Sequence, residues 1–227
     1  MNFKSSYRSE IDGIRAFAVI AVIIHHFNES ILKSGFLGVD IFFVISGYVI
    51  TLSFFANEDK NFIQFISDFY KKRIKRLLPS LLVYVVVISL LICFFVEDGR
   101  SLFFRTGFFS IFGLSNLYLV RNSVDYFAFS TNFNPFTQTW SLAIEQQFYL
   151  IYPFLIWFTG FIKNKNSSIN KLKFSIITLT SISFIYFLFF YSDINSEAYF
   201  LLHYRFWEIG SGCLLFILLQ KNNNLIR

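Results

Sequence analysis

The chain has 227 residues, of which 55 % are hydrophobic, 34 are phenylalanine and only 15 % are charged. Soluble domains carry roughly a quarter charged residues, so this composition excludes an ordinary soluble globule and points to a polytopic membrane protein. The net charge of +6 does not argue for nucleic acid, because the lysines and arginines cluster in short loops beside apolar runs, as membrane orientation requires.

The first apolar run, Ile14–Phe27, has no small-residue cleavage site behind it and reads as a retained helix that extends toward Ser9. It ends in "IAVIIHHFNES", with two of the three histidines of the chain, His25 and His26. On a helix Arg15 and His26 fall roughly 20° apart around the axis and about 16 Å apart along it. Asp12 falls near the same stripe, and His25 points elsewhere. Imidazole takes and returns protons near neutral pH, which makes His26 a candidate general acid–base. The alternative is a pair of interfacial histidines.

A second span is expected at Phe36–Ala56, within "GFLGVDIFFVISGYVIT". Its Gly35, Gly38 and Gly47 permit close helix contact. Asp40, at its outer edge, either caps the helix or orients a nearby imidazole. Next comes "FYKKRIKRLLP", in which Arg73 and Arg76 share a helix face ahead of a third span, Pro79–Val96. Guanidinium forks suit phosphate oxygens, whether of a phosphorylated substrate or of lipid head groups.

The stretch Leu102–Val120 is apolar but holds Arg105, Gly107, Gly113 and Asn116. If it is re-entrant or interfacial, every basic loop lies on the cytoplasmic side: Lys71–Arg76, Lys163–Lys173 and Lys221–Arg227. Asn28–Ser34, Glu97–Thr139 and Ser192–His203 then face outward, and the charge rule favours that topology. Further spans are expected at Trp140–Phe161, Phe174–Tyr191 and Tyr204–Leu219. The first holds Glu145 and Tyr149 four residues apart on one face, and the last holds Arg205 and Glu208 three apart. Buried charges of this kind pair or mark functional sites. Cys93 and Cys213 lie in apolar runs and read as buried small hydrophobes without a disulfide. The fold expected is all-α, a transmembrane helical bundle of six or seven spans.

The motifs "DGIRAFAVIAVIIHHF", "GVDIFFVISGYVIT", "FYKKRIKRLLP", "TWSLAIEQQFYLIYP" and "RFWEIGSG", in this order, resemble the membrane acyltransferase-3 family of OafA-like O-acyltransferases. The resemblance implies an integral membrane domain over 1–227 in the bacterial inner membrane, with a cytoplasmic N-terminus. It covers roughly the N-terminal two-thirds of the usual membrane domain, which implies a C-terminal truncation or a partner chain. It also implies transfer of an acyl group, usually acetyl, from cytoplasmic acyl-CoA to a hydroxyl of an envelope glycan. That glycan would be lipopolysaccharide O-antigen, exopolysaccharide or peptidoglycan, and no metal is implied.

Carried over position by position, His26 is the presumed catalytic residue, and Arg15, its signature partner, would bind the acyl-CoA donor. Arg73 and Arg76 would contact the CoA phosphates, while Glu145 and Tyr149 complete the site. Asp40 or Glu145 would fix the imidazole tautomer, and Asp12, Arg205 and Glu208 have substrate or structural roles. Ala143 departs from the family's usual Ser, and Gln146 from its usual second Glu. A bundle ending where this chain ends is expected to show Arg205 and Glu208 to lipid. Readings without acyl transfer are a glycan-intermediate transporter and an inactive remnant.

Overall fold

The computed structural model describes residues 9–28, 30–55, 61–96, 100–122, 134–161, 165–190 and 199–225, with the backbone alone for 165–167, 190 and 220–225. Eight α-helices span the described residues. They are α1 (Ser9–Phe27), α2 (Gly38–Phe55), α3 (Phe62–Phe95), α4 (Arg100–Ile111), α5 (Ser115–Arg121), α6 (Thr139–Phe158), α7 (Lys165–Phe190) and α8 (Leu202–Leu225). A single 3-10 turn, Gly35–Leu37, leads into α2. Ala56, Lys163, Tyr191 and Arg227, which bounded expected spans or basic loops, lie outside the described residues, as do 97–99, 123–133 and 192–198 of the expected outward loops.

Three helices are long and apolar enough to cross a membrane: Gly35–Phe55, Phe62–Phe95 and Ser168–Phe189. This is a membrane protein, but the expectation of six or seven spans is corrected to three among the described residues. The physical reasons are local. Helix α1 begins with Glu10, Asp12 and Arg15. The apolar run of α6 is interrupted by Glu145-Gln146-Gln147. Helix α8 opens with His203, Arg205 and Glu208 and closes on Gln220–Asn224, so only its middle turns, Cys213–Leu219, are continuously apolar. Leu102–Val120 is broken at Gly113, whose φ of 69° ends α4 and leaves two helices of 12 and 7 residues.

The third span also differs from expectation. Helix α3 runs unbroken for 34 residues through the basic stretch and carries Pro79 inside it. Proline costs one intrahelical hydrogen bond. The apolar turns after it, including Val83, Val86, Leu90 and Phe94, are largely exposed, as side chains facing lipid are. Cys93 is exposed on that helix, contrary to the expected burial, whereas Cys213 is buried.

The chain forms two compact units. The first comprises Met1–Asp59, Phe158–Ile185 and Phe206–Arg227. Its helices approach at glycines: a Cβ at Gly47 would strike the Ile209 carbonyl oxygen, and one at Gly212 would strike that of Val44. Cys213 Sγ reaches the Gly47 carbonyl at 3.4 Å. Phe55 then packs between Phe161 and Phe216, with ring centroids at 4.6 and 4.7 Å. Small residues at the crossing permit this main-chain contact, which dispersion then rewards where lipid offers no hydrophobic drive.

The second unit comprises Lys60–Trp157 and Tyr186–Arg205. Leu81, Val85, Ile92, Phe103 and Phe136 form its buried apolar cluster. Beside that cluster runs a buried polar ladder. Asn134 Nδ2 donates to Thr106 Oγ1 at 3.0 Å, Ser110 Oγ lies 2.6 Å from Thr139 Oγ1, and Thr139 Oγ1 donates to the Phe136 carbonyl at 2.7 Å. Hydroxyls that close on one another and on main-chain carbonyls can sit in an apolar interior without the cost of unmade hydrogen bonds.

Candidate functional site

The candidate residues fall into two clusters, one in each unit. In the first unit α1 carries Asp12, Arg15 and His26, and the unbroken helix preserves the stripe inferred from spacing. Arg15 Nη1 lies 3.8 Å from Asp12 Oδ1. His26 is exposed, and its Nδ1 lies 2.9 Å from the carbonyl oxygen of Val22, one turn back. A carbonyl only accepts, so Nδ1 carries the proton in the neutral ring and the lone pair resides on Nε2. The helix backbone thereby favours that tautomer. Asp40 lies half-buried in the first turn of α2.

His25 is the better packed of the two histidines. Its Nδ1 donates to the Leu32 carbonyl at 3.1 Å, and its ring meets Phe36 edge-on at 5.6 Å. A Cβ at Gly35 would touch its Cβ, and one at Gly38 would strike the Ala18 carbonyl oxygen. The glycines at the entry to α2 therefore bring that helix against α1 at Ala18, Ala21 and Val22. His25 seats the connection, while His26, 5.4 Å away ring to ring, faces outward.

In the second unit the spacing of Glu145 and Tyr149 produces the expected contact: Tyr149 Oη donates to Glu145 Oε2 at 3.1 Å. Arg73 joins them from α3. Its Cζ lies 5.3 Å from the centroid of the Tyr149 ring and 5.6 Å from that of Phe69. Further contacts between α3 and α6 hold the pair of helices: Tyr70 Oη donates to the Leu150 carbonyl at 3.0 Å, and Phe62 meets Trp157 at 4.9 Å. Tyr149 is thus shared, its ring under a guanidinium and its hydroxyl on a carboxylate. Arg76, expected to act beside Arg73, is exposed, as are Lys71, Lys72 and Lys75. Of that basic run only Arg73 is partly buried, with its guanidinium beside two aromatic rings.

Arg205 and Glu208, expected to face lipid, are buried, with 5 % and 1 % of their surface exposed. In the second unit the Arg205 guanidinium lies 4.9 Å from the Tyr199 ring and 5.8 Å from that of Trp140. Ala143 is buried. Spacing arguments missed Asn116 and Gln147, whose amides bond to each other. The signal available was uncharged amides standing in apolar runs. Among the described residues no group of three or more His, Cys, Asp or Glu side chains is placed to hold a metal ion.

A family profile described as an acyltransferase domain matches residues 8–227. The chain belongs to this acyltransferase family. It is 36 % identical over 213 residues to an O-acetyltransferase OatA of Staphylococcus aureus, which covers 94 % of this chain and 35 % of that protein. It is 37 % identical over 217 residues to the peptidoglycan O-acetyltransferase OatA of Listeria monocytogenes, covering 94 % of this chain and 34 % of that one. A putative O-acetyltransferase of Staphylococcus aureus is 39 % identical over 67 % of this chain and 25 % of its own length. The chain therefore spans about a third of the length of the first two relatives. No solved structure matches it.

Proposed function

We propose that this chain acts as the acyl-transfer domain of an acyl-CoA-dependent membrane O-acyltransferase, with acetyl as the acyl group and an envelope glycan hydroxyl as acceptor. The observation that carries the reading is the Nδ1 contact of His26 with the Val22 carbonyl, which favours the tautomer whose basic nitrogen is Nε2. Family membership supports the reaction class, and the printed name of the Listeria relative supports peptidoglycan as the first acceptor to test. The setting proposed is the bacterial inner membrane, in keeping with the three helices long and apolar enough to cross it.

In this mechanism His26 Nε2 removes the proton of the glycan hydroxyl as its oxygen attacks the thioester carbonyl. The tetrahedral adduct collapses to the ester and expels CoA thiolate, which takes the proton from the imidazolium. Arg73 binds an anionic oxygen of the CoA donor, and Tyr149 keeps that guanidinium in place. Glu145 holds Tyr149 through its hydroxyl. Arg76 adds long-range attraction from its exposed position. Arg15 and Asp12 form a pair at the far end of the His26 helix and orient the acyl donor there, while Asp40 supports the same helix from α2.

The test is transfer of labelled acetyl from acetyl-CoA into peptidoglycan, in membranes that contain the chain or its His26→Ala variant. Loss of a general base lowers transfer by about 10²–10⁴-fold. Equal incorporation by the two proteins would refute the assignment.

A further inference from the structure

Helix α6 carries Glu145 and Tyr149 on one side, and on a helix Gln147 falls on the opposite side, roughly 160–200° around. There it meets the turn that joins α4 to α5. Gln147 Nε2 donates to the Gly113 carbonyl at 3.0 Å and to Asn116 Oδ1 at 2.8 Å. Asn116 Nδ2 donates back to Gln147 Oε1 at 3.3 Å and to the Phe200 carbonyl at 3.0 Å. All four amide protons are thereby used. The two main-chain carbonyls, which only accept, fix which way each amide faces. Asn116 is fully buried. Gly113 has φ 69°, and a Cβ there would strike Gln146, so the turn wraps two consecutive residues of α6.

From this we infer that Gln147, paired with Asn116, is a positioning residue: it sets the roll of α6 about its axis and so the placement of Tyr149 beneath Arg73. A helix held by side-chain packing alone can rotate slightly within its groove. One whose back face is held by a closed amide pair, itself tied to two main-chain carbonyls, cannot rotate without breaking several bonds. The inference rests on the acyl-transfer reading for its consequence in activity, but not for its geometry.

The test is a double-mutant cycle on transfer, with Gln147→Met and Tyr149→Ala singly and together. Misplacement of a donor-holding group costs about tenfold to a hundredfold, so Gln147→Met alone lowers transfer by that factor. In the Tyr149→Ala background it adds little, because the ring whose placement it protects is gone. Fully additive losses would overturn the inference, since a general structural role is blind to Tyr149. Gln147→Glu serves as a second variant. It keeps the volume and the bond from Asn116 but sets oxygen against oxygen at Gly113 and Asn116, and the same non-additivity is expected. Failure of both variants to accumulate in the membrane would show a role in folding and overturn the positioning role.

A readout without chemistry separates this inference from the proposed function. A Tyr70→Cys, Leu150→Cys pair, in a chain with Cys93 and Cys213 replaced by Ala, reports the α3–α6 register through a short bis-maleimide cross-link. Its yield falls severalfold when Gln147→Met is added, and an unchanged yield overturns the inference. If the unsubstituted chain transfers no acyl group, the proposed function fails while the cross-link still decides this point.

Discussion

The two candidate clusters are built in opposite ways. His26 stands exposed on α1, and its known orienting bond comes from its own helix, four residues back. Arg73, Tyr149 and Glu145 are at least half-buried and come from two helices, with Tyr149 in contact with both partners. A residue held by its own backbone keeps its geometry wherever the helix forms. A cluster assembled across helices depends on the packing of both. The first arrangement suits a group that must meet a large acceptor, and the second suits a group that must hold a small anion in a fixed place.

Substitutions break this contrast in a defined order. The largest effect is expected from Gly38→Val, because a side chain there meets the Ala18 carbonyl and Val22 and pushes α2 off α1. Overpacking of this kind costs about 3 kcal/mol or more, and thermal melting in detergent should show the folded protein greatly depleted. Arg73→Lys comes next. It keeps the charge but loses the planar face and fork, and KM for acetyl-CoA should rise about tenfold, matching roughly 1–2 kcal/mol of lost contact.

Tyr149→Phe sharpens the comparison by removing one hydroxyl and leaving the ring under Arg73. Transfer should fall about fivefold, the equivalent of a hydrogen bond of about 1 kcal/mol, with protein levels unchanged. Arg76→Gln is the smallest. An exposed cation contributes weakly, so KM should change by less than about threefold and the change should fade as salt is raised. An Arg76 effect larger than that of Arg73 would invert the assignment of the donor-holding arginine.

What the sequence showed, and what it hid, follows from the range of each interaction. The Glu145–Tyr149 contact and the Asp12–Arg15 pair were legible because both lie within one helical turn or so. The close approach at Gly38 and Gly47 was legible from glycine in an apolar run. The join of Arg73 to Tyr149 was not, because it depends on how α3 lies on α6. The number of spans was overestimated because apolar runs were counted without weighing Glu145-Gln146-Gln147 or the φ of Gly113. Pro79 reads as a helix start by position preference, yet α3 passes through it. His25 was set aside by its angle from Arg15, and that same angle turns it toward Leu32 and Phe36.

The central claim is a division of labour: His26 performs the proton transfer and Arg73 holds the donor. The most direct measurement is acetyl-CoA binding by calorimetry together with acetyl transfer, on the same preparations of the unsubstituted chain, His26→Ala and Arg73→Ala. The account predicts that His26→Ala binds acetyl-CoA normally and transfers nothing detectable, while Arg73→Ala binds it at least about tenfold more weakly. Transfer by His26→Ala at the unsubstituted rate, or unchanged binding by Arg73→Ala, would contradict it.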